Sequence, residues 1–313
     1  MTGRHWAQNR LAESRLTLPL SVALFVAARL FQGQEVSLSA AASAALCLGT
    51  AAVMMESNAG LQILRVRSHL GESLWLLLAS AMPFLYGLEA PAVCAFCLAA
   101  AMGLLQCCYQ NRDSMPLVYH SFLFLGAGSL FAPVMLPMGL LFYVCLATLM
   151  RAFSWKNLWA GVLGVLTPYW CWVAWEACAG DVTRVYGHVL ALWARTFGLE
   201  GLSPVPGVRL LPVWCLLGFL TLVGVIHYMR KRYDDKIHTR MLLYVYVYVS
   251  VFLHVAFLLL PAQRQELLAM QAVSVSPLVA HYWAMTGGRT GQVVLFVSLA
   301  AWLAVLALVS LAV

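Results

Sequence analysis

The chain has 313 residues, 63% of them hydrophobic and 10% charged, with a formal net charge of +7. A soluble globular protein carries roughly 25% charged residues, so a chain this poor in charge lacks the polar groups to cover a water-facing surface, and lipid is the solvent its composition calls for. No basic stretch is interleaved with aromatics, which argues against nucleic acid as a partner, and the nine cysteines sit mostly inside apolar runs, which argues against a secreted disulfide framework.

A membrane-spanning helix needs roughly 20 mostly apolar residues. The basic, polar start Met1–Arg10 precedes the apolar run Leu16–Phe31, read as a retained first helix rather than a cleaved signal. Further candidates follow at Val36–Met55, Leu74–Leu88, Ala90–Cys108, Met115–Phe131, Ala132–Met150 and Leu158–Cys178. The last four are Leu210–Met229, Met241–Leu260, Leu267–Met285 and Gln292–Val313. The expectation is therefore an all-α polytopic transmembrane bundle of about 11 helices, residues 1–313 forming a single integral membrane domain with no soluble domain. Two places are open. The pair meeting at Ala132-Pro133 also fits a re-entrant hairpin, and Leu267–Met285, with Pro277 and His281, is the least marked span.

Charge orients the bundle. With the N-terminus in the cytoplasm and sides alternating, Arg4, Arg10, Arg15, Arg65, Arg67, Arg112, Arg151, Lys156, Arg230, Lys231, Arg232, Lys236, Arg240 and Arg289 fall inside. Only Arg29, Arg184, Arg195, Arg209 and Arg264 fall outside. That follows the positive-inside rule along the whole chain and points to a cell inner membrane.

The longest connection, roughly Ala179 to Arg209, lies on the outer side. Within it Asp181–Phe197 has helical periodicity: Val182, Val185, Tyr186, Val189, Trp193 and Phe197 form an apolar face, and Arg184, His188 and Arg195 the opposite one. An amphipathic helix of this kind suits the membrane interface. The end of the preceding span supplies Tyr169, Trp170, Trp172, Trp175 and Glu176. One reading is an aromatic belt with a solvated basic face. The other is an outer-face headgroup site of Trp172, Trp175, Glu176, Arg184, His188 and Arg195. There the cations would hold a phosphate, the tryptophans would flank a lipid or sugar, and Glu176 would serve as a base.

Ionisable residues inside apolar runs are functional candidates by default. Arg29, Glu56, His120, Glu176, His227 and His254 are of this kind, His120 and His254 being the deepest. A neutral histidine bonded to a neighbouring helix accounts for either; haem ligation by the two is the less economical alternative. Cys94 and Cys97, at i and i+3, share a helix face at the outer end of a span. Such a pair suits a quinone-linked thiol oxidoreductase, but the small apolar surroundings suit packing. Ser154 is placed to cap the helix after the turn Arg151-Ala-Phe-Ser-Trp-Lys-Asn. There is no P-loop, dinucleotide fingerprint, H-E-x-x-H or G-x-S-x-G, and no cofactor or metal set is expected.

Three pieces of the sequence resemble a group of roughly 300-residue polytopic membrane proteins of Bacteroidetes with no assigned activity. They are Glu56-Ser57-Asn58 with Leu64-Arg65, Arg151-Ala152-Phe153-Ser154-Trp155-Lys156 (arginine being usual in place of Lys156), and Gly164 with Pro168-Tyr169. The resemblance implies an inner-membrane location and many helices, and carries no catalytic residue. The functional expectation is a transporter-like or scaffold protein whose partners are membrane lipid and an outer-leaflet, lipid-linked or small-molecule substrate. The alternatives are a membrane enzyme acting on lipid-linked glycans at Glu176, and a thiol oxidoreductase.

Overall fold

The computed structural model describes residues 7–31, 37–61, 68–180, 183–197 and 210–311, apart from the side chains of 195–197 and 309–311. Among these residues there are thirteen α-helices and no strand: α1 (Ala7–Glu13), α2 (Thr17–Phe31), α3 (Leu38–Leu61), α4 (Leu70–Ser80), α5 (Ala90–Gln106), α6 (Met115–Ser129) and α7 (Met135–Thr148). The others are α8 (Trp155–Ala179), α9 (Thr183–Phe197), α10 (Leu211–Lys231), α11 (Ile237–Leu259), α12 (Arg264–Met285) and α13 (Arg289–Leu311). Five of them, α3, α8, α10 with its succeeding turn, α11 and α13, are long and apolar enough to cross a membrane. The count is up to six if α1 and α2, bent by 94° at their junction, form one span.

Each apolar segment expected from the sequence overlaps one helix, with two shifts. The helix expected at Leu74–Leu88 begins instead at Leu70 and stops at Ser80, and Pro83 opens a separate 3-10 turn. Proline has no amide hydrogen to continue the ladder. The outer helix expected at Asp181–Phe197 is described from Thr183; Asp181 and Val182 lie outside the described residues.

The bundle is built around α12. All of its residues except Gln265 and Met285 are buried, Gln271, Ser274, Ser276 and His281 among them. α4, α5, α10 and α11 pack around it, and α1 covers its last turn. A helix that touches neither lipid nor water needs no apolar exterior, so its polar residues lower its hydropathy and hide it from a search for spans. At the edge, α8 lies on α6 through glycine. A Cβ on Gly164 would stand 3.0 Å from the amide nitrogen of Leu123 and closer still to the Tyr119 carbonyl oxygen. Small residues let helix backbones approach in this way.

Polar ties join the connections at each end. At one end Gln8 Nε2 donates to the carbonyls of Thr286 and Gly288, both at 3.2 Å. There too Gln110 N donates to Met150 O at 2.7 Å, Ser154 Oγ to Arg112 O at 3.3 Å, and the Tyr109 ring meets His238. Also here, His281 Nε2 of α12 lies 3.0 Å from Asp235 Oδ2 in the α10–α11 turn, each side chain 2% exposed. At the opposite end Val134 N donates to Gln263 Oε1 at 3.1 Å.

Arg29 closes that second end. Its guanidinium donates to Ala40 O at 3.1 Å, Leu85 O at 2.6 Å and Ser43 Oγ at 3.2 Å. It also stacks 4.7 Å from the Phe25 ring and 4.9 Å from the Tyr86 ring. One buried cation thus binds α2, α3 and the turn after α4. Arg29→Ala leaves two backbone carbonyls without this donor and should cost about 3 kcal/mol or more, since bonds to a charged group contribute about 1.5–3 kcal/mol each. Thermal unfolding in detergent measures this. Arg29→Lys should recover only part of the loss, because a compact ammonium cannot reproduce the planar fork.

Candidate functional site

A corner is made where α8 ends and α9 folds back. α8 starts cleanly: Ser154 Oγ accepts from the Asn157 amide at 3.2 Å, the expected cap. It runs through Pro168 and stops at Gly180, whose φ of +85° is left-handed and therefore suits glycine. Tyr169, Trp172 and Glu176 stand at i, i+3 and i+7 on α8, one helical stripe.

That stripe is wired to its neighbours. Tyr169 Oη shares a hydrogen bond with Ser129 Oγ of α6 at 2.8 Å. Trp172 Nε1 donates to Glu176 Oε1 at 3.4 Å. The Trp172 ring meets the His188 ring of α9 edge-on, centroids 4.9 Å apart, and His188 Nε2 lies 3.1 Å from the Leu130 carbonyl oxygen. His188 therefore ties α9 to the α6–α7 turn and to α8 together. The other oxygen of Glu176, Oε2, is shielded from solvent and has no hydrogen-bond partner. A shallow groove, open on one side, runs beside this cluster. Its walls are Leu130, Pro133 and Leu136 below, Tyr169 and Ser129 at the side, and His188, Val189, Leu192 and Trp193 of α9 above.

The faces of α9 differ from the expected ones. Val185 is buried as expected, but Tyr186, at 71% exposed, and Trp193, at 56%, are open. His188 is exposed, as its place among the polar residues implies, yet it also reaches the Leu130 carbonyl and the Trp172 ring. Among the helix's described side chains Val185 is the buried one, Leu192 is half-buried and Val189 is 40% exposed.

Of the six candidates, Trp172, Glu176 and His188 come together. Trp175 is 73% exposed. Arg184 is exposed, and neither it nor Glu176 is among the residues that line the groove. The Arg195 side chain lies outside the described residues. Tyr169 and Ser129 were not expected in the site. Tyr169 was detectable as the next position down the Trp172–Glu176 stripe, whereas Ser129 and the Leu130 carbonyl come from a distant helix with no local signal.

The remaining candidates are placed as follows. Cys94 and Cys97 are both buried, and Cys94 Sγ lies 3.8 Å from the Gly128 carbonyl oxygen. His120 is exposed and bonds the Pro116 carbonyl of its own helix, whereas His254 is half-buried and bonded to Gln271 of α12. Among the described residues, no group of three His, Cys, Asp or Glu side chains could hold a metal ion.

Comparisons with protein-family models, with curated proteins and with solved structures find no match. The site is thus read from its own chemistry. It is a groove with largely apolar walls, and the Trp172–Glu176 pair stands behind His188, one of its lining residues. The anchoring role of His188 is testable. His188→Ala should loosen α9 by about 1 kcal/mol, the usual worth of one such bond. Hydrogen exchange of 183–197 should rise while α12 stays protected.

Proposed function

We propose that this chain is a multi-pass inner-membrane protein of eleven spans, N-terminus in the cytoplasm, whose outer-face groove holds an amphiphile of the outer leaflet. Two things support the topology. Basic residues concentrate in alternate connections, and the hydrogen bonds described above join connections of one parity with each other: 8 with 286–288, 110–112 with 150–154, and 134 with 263. The membership suggested by the Bacteroidetes resemblance belongs to the same proposal.

One observation carries the ligand reading. Glu176 Oε2 is sheltered and unpartnered, and its neighbour Trp172 meets His188, which lines the apolar groove. A buried acceptor without a partner costs roughly 1–3 kcal/mol, and a hydroxyl or ammonium donor removes that cost. A carboxylate favours a donor headgroup over a bare phosphate. The substrate class is therefore an outer-leaflet lipid or lipid-linked molecule with a hydroxyl or amine headgroup. Its handling fits a transporter-like or scaffold role. The same free oxygen also favours a second reading, a base that activates a glycan hydroxyl on a lipid carrier.

Two experiments test these statements. In nanodiscs containing a photoreactive phosphatidylethanolamine, crosslinks should concentrate on 130–136 and 189–193. Glu176→Gln, or Leu136→Trp to fill the groove, should reduce them about fivefold, a loss of about 1 kcal/mol. Labelling spread evenly over all helices and unchanged in both variants would end the ligand reading, and turnover of a lipid-linked glycan would select the enzyme over the carrier. For topology, a reporter active only outside the cytoplasm should be silent when inserted at 232–238 and active at the C-terminus. A signal at the loop breaks the model in that half.

A further inference from the structure

A second surface is set apart by its charge: the connection between α10 and α11. Residues 230–240 hold five cations, Arg230, Lys231, Arg232, Lys236 and Arg240, against the two carboxylates of Asp234 and Asp235. Neither carboxylate offsets the other four cations. Asp234 lies 3.3 Å from Lys231, and the Asp235 side chain, 2% exposed, is turned inward onto His281. Arg230, Arg232, Lys236 and Arg240 have no carboxylate partner among the described residues, so the turn presents a net cationic face.

Two of these cations are held in place. The Arg232 guanidinium lies 4.8 Å from the centroid of the Tyr233 ring, and the Arg240 guanidinium lies 5.6 Å from the same centroid. Arg232 Nη1 also donates to Tyr244 Oη at 2.7 Å, and its Nη2 donates to Tyr233 Oη at 2.9 Å. One tyrosine ring, between the end of α10 and the first turn of α11, therefore gathers two arginines, and the attraction of each cation to the ring opposes their mutual repulsion. A solvated fringe of basic residues needs no such fixing. Both arginines keep donors to offer. The Arg240 side chain makes no hydrogen bond among the described residues and rests only on the ring. Arg232 Nε is also without a partner. A guanidinium presents its N–H groups as a rigid fork that matches phosphate oxygens.

The apolar residues beside this pair decide the partner. On α10, Leu222, Ile226 and Met229 are exposed at i, i+4 and i+7, and their stripe runs into Tyr233 at i+11. On α11, Tyr244 leads to Tyr248, their rings 6.2 Å apart, and then to Val251 and Val255, the last three exposed. Both helices are long and apolar enough to cross a membrane. The arginine pair thus stands where two exposed apolar stripes end, the level at which acyl chains give way to headgroups. Free phosphate would engage the cations and leave the stripes unused; a phospholipid engages both. We propose that the α10–α11 turn is a docking site for an anionic phospholipid of the inner leaflet, its phosphate held by Arg232 and Arg240 beside Tyr233 and its chains lying along α10 and α11. This rests on the orientation proposed above, which places the turn in the cytoplasm, where the leaflet surface is anionic.

The test uses the full-length protein in phosphatidylcholine nanodiscs that carry a trace of phosphatidylglycerol with a photoreactive group on its acyl chain. Crosslinks should concentrate on 222–255, and unlabelled phosphatidylglycerol should compete them away where added phosphatidylcholine does not. Arg232→Gln combined with Arg240→Gln should weaken capture about thirtyfold, each cation at an anionic lipid surface contributing about fivefold. Arg240→Gln alone, which removes no hydrogen bond of the fold, carries the test with about a fivefold loss if the double variant does not elute as a single folded species. Arg151→Gln combined with Lys156→Gln removes the same charge from the turn before α8 and should leave capture unchanged. The proposal is overturned if phosphatidylcholine competes equally, or if the Arg151 and Lys156 pair lowers capture as much as the arginine pair. It is also overturned if inorganic phosphate displaces the label at fixed ionic strength, which would mark a site for free phosphate. Nanodiscs offer both leaflets the same lipid, so capture does not depend on which side is cytoplasmic. The reporter fusions test that separately, and failure of the orientation is distinguishable from failure of the docking site.

Discussion

Lipid offers a polar group nothing, so every polar group inside this chain must find its partner in the chain itself. α12 is where that constraint concentrates. It is buried on all sides and polar along much of its length, and its neighbours are chosen accordingly. α11 brings Ser250 and His254, the α10–α11 turn brings Asp235, and α1 brings Gln8 to the carbonyls just beyond its end. Removing the polarity of α12 would leave these partners unpaired. Removing the partners would leave α12 with buried orphans, each costing roughly 1–3 kcal/mol. The arrangement therefore specifies the register of α10, α11 and α12 in a way that apolar packing alone would not.

This also explains which parts of the fold were legible in the sequence. Lipid-facing helices announce themselves through unbroken hydropathy, and α3, α11 and α13 were expected close to where they lie. α12 was the least marked because its partners, not lipid, make its polar residues tolerable, and partners are not visible in one sequence. The break after Ser80 was misjudged because the apolar run continues through Pro83 while the backbone does not. Arg29 was seen only as an ionisable group near a helix end. Its role depends on carbonyls at 40 and 85, which no local pattern connects.

The α8–α9 corner follows the same logic with a different result. Periodicity sorted α9 into apolar and basic faces, and an amphipathic helix is indeed there. His188 is exposed, in keeping with its polar type, and still holds a carbonyl and an indole edge, because an imidazole is both a polar group and a flat apolar ring. Tyr186 and Trp193 are open at the corner. Aromatic residues of that kind, apolar in body and polar at the tip, are the ones that settle at a headgroup boundary. The exposed face of α9 is thereby suited to the interface, while its inner face forms the roof of the groove.

The two polar sites differ in the feature that separates structure from function. At Arg29 the guanidinium ends are matched to carbonyl and hydroxyl acceptors, and the group sits in one geometry. At Glu176 and Gln271 one acceptor atom of each side chain is sheltered yet unmatched. The Arg29 fork, matched at its two terminal nitrogens though not at Nε, holds helices together. An unsatisfied acceptor is stabilised by a ligand or a proton, and its free energy falls when a donor arrives. Sheltered, unmatched acceptors also occur at Gln8 and Asn157, so what sets Glu176 apart is its nearness, through Trp172 and His188, to a groove open to the surroundings.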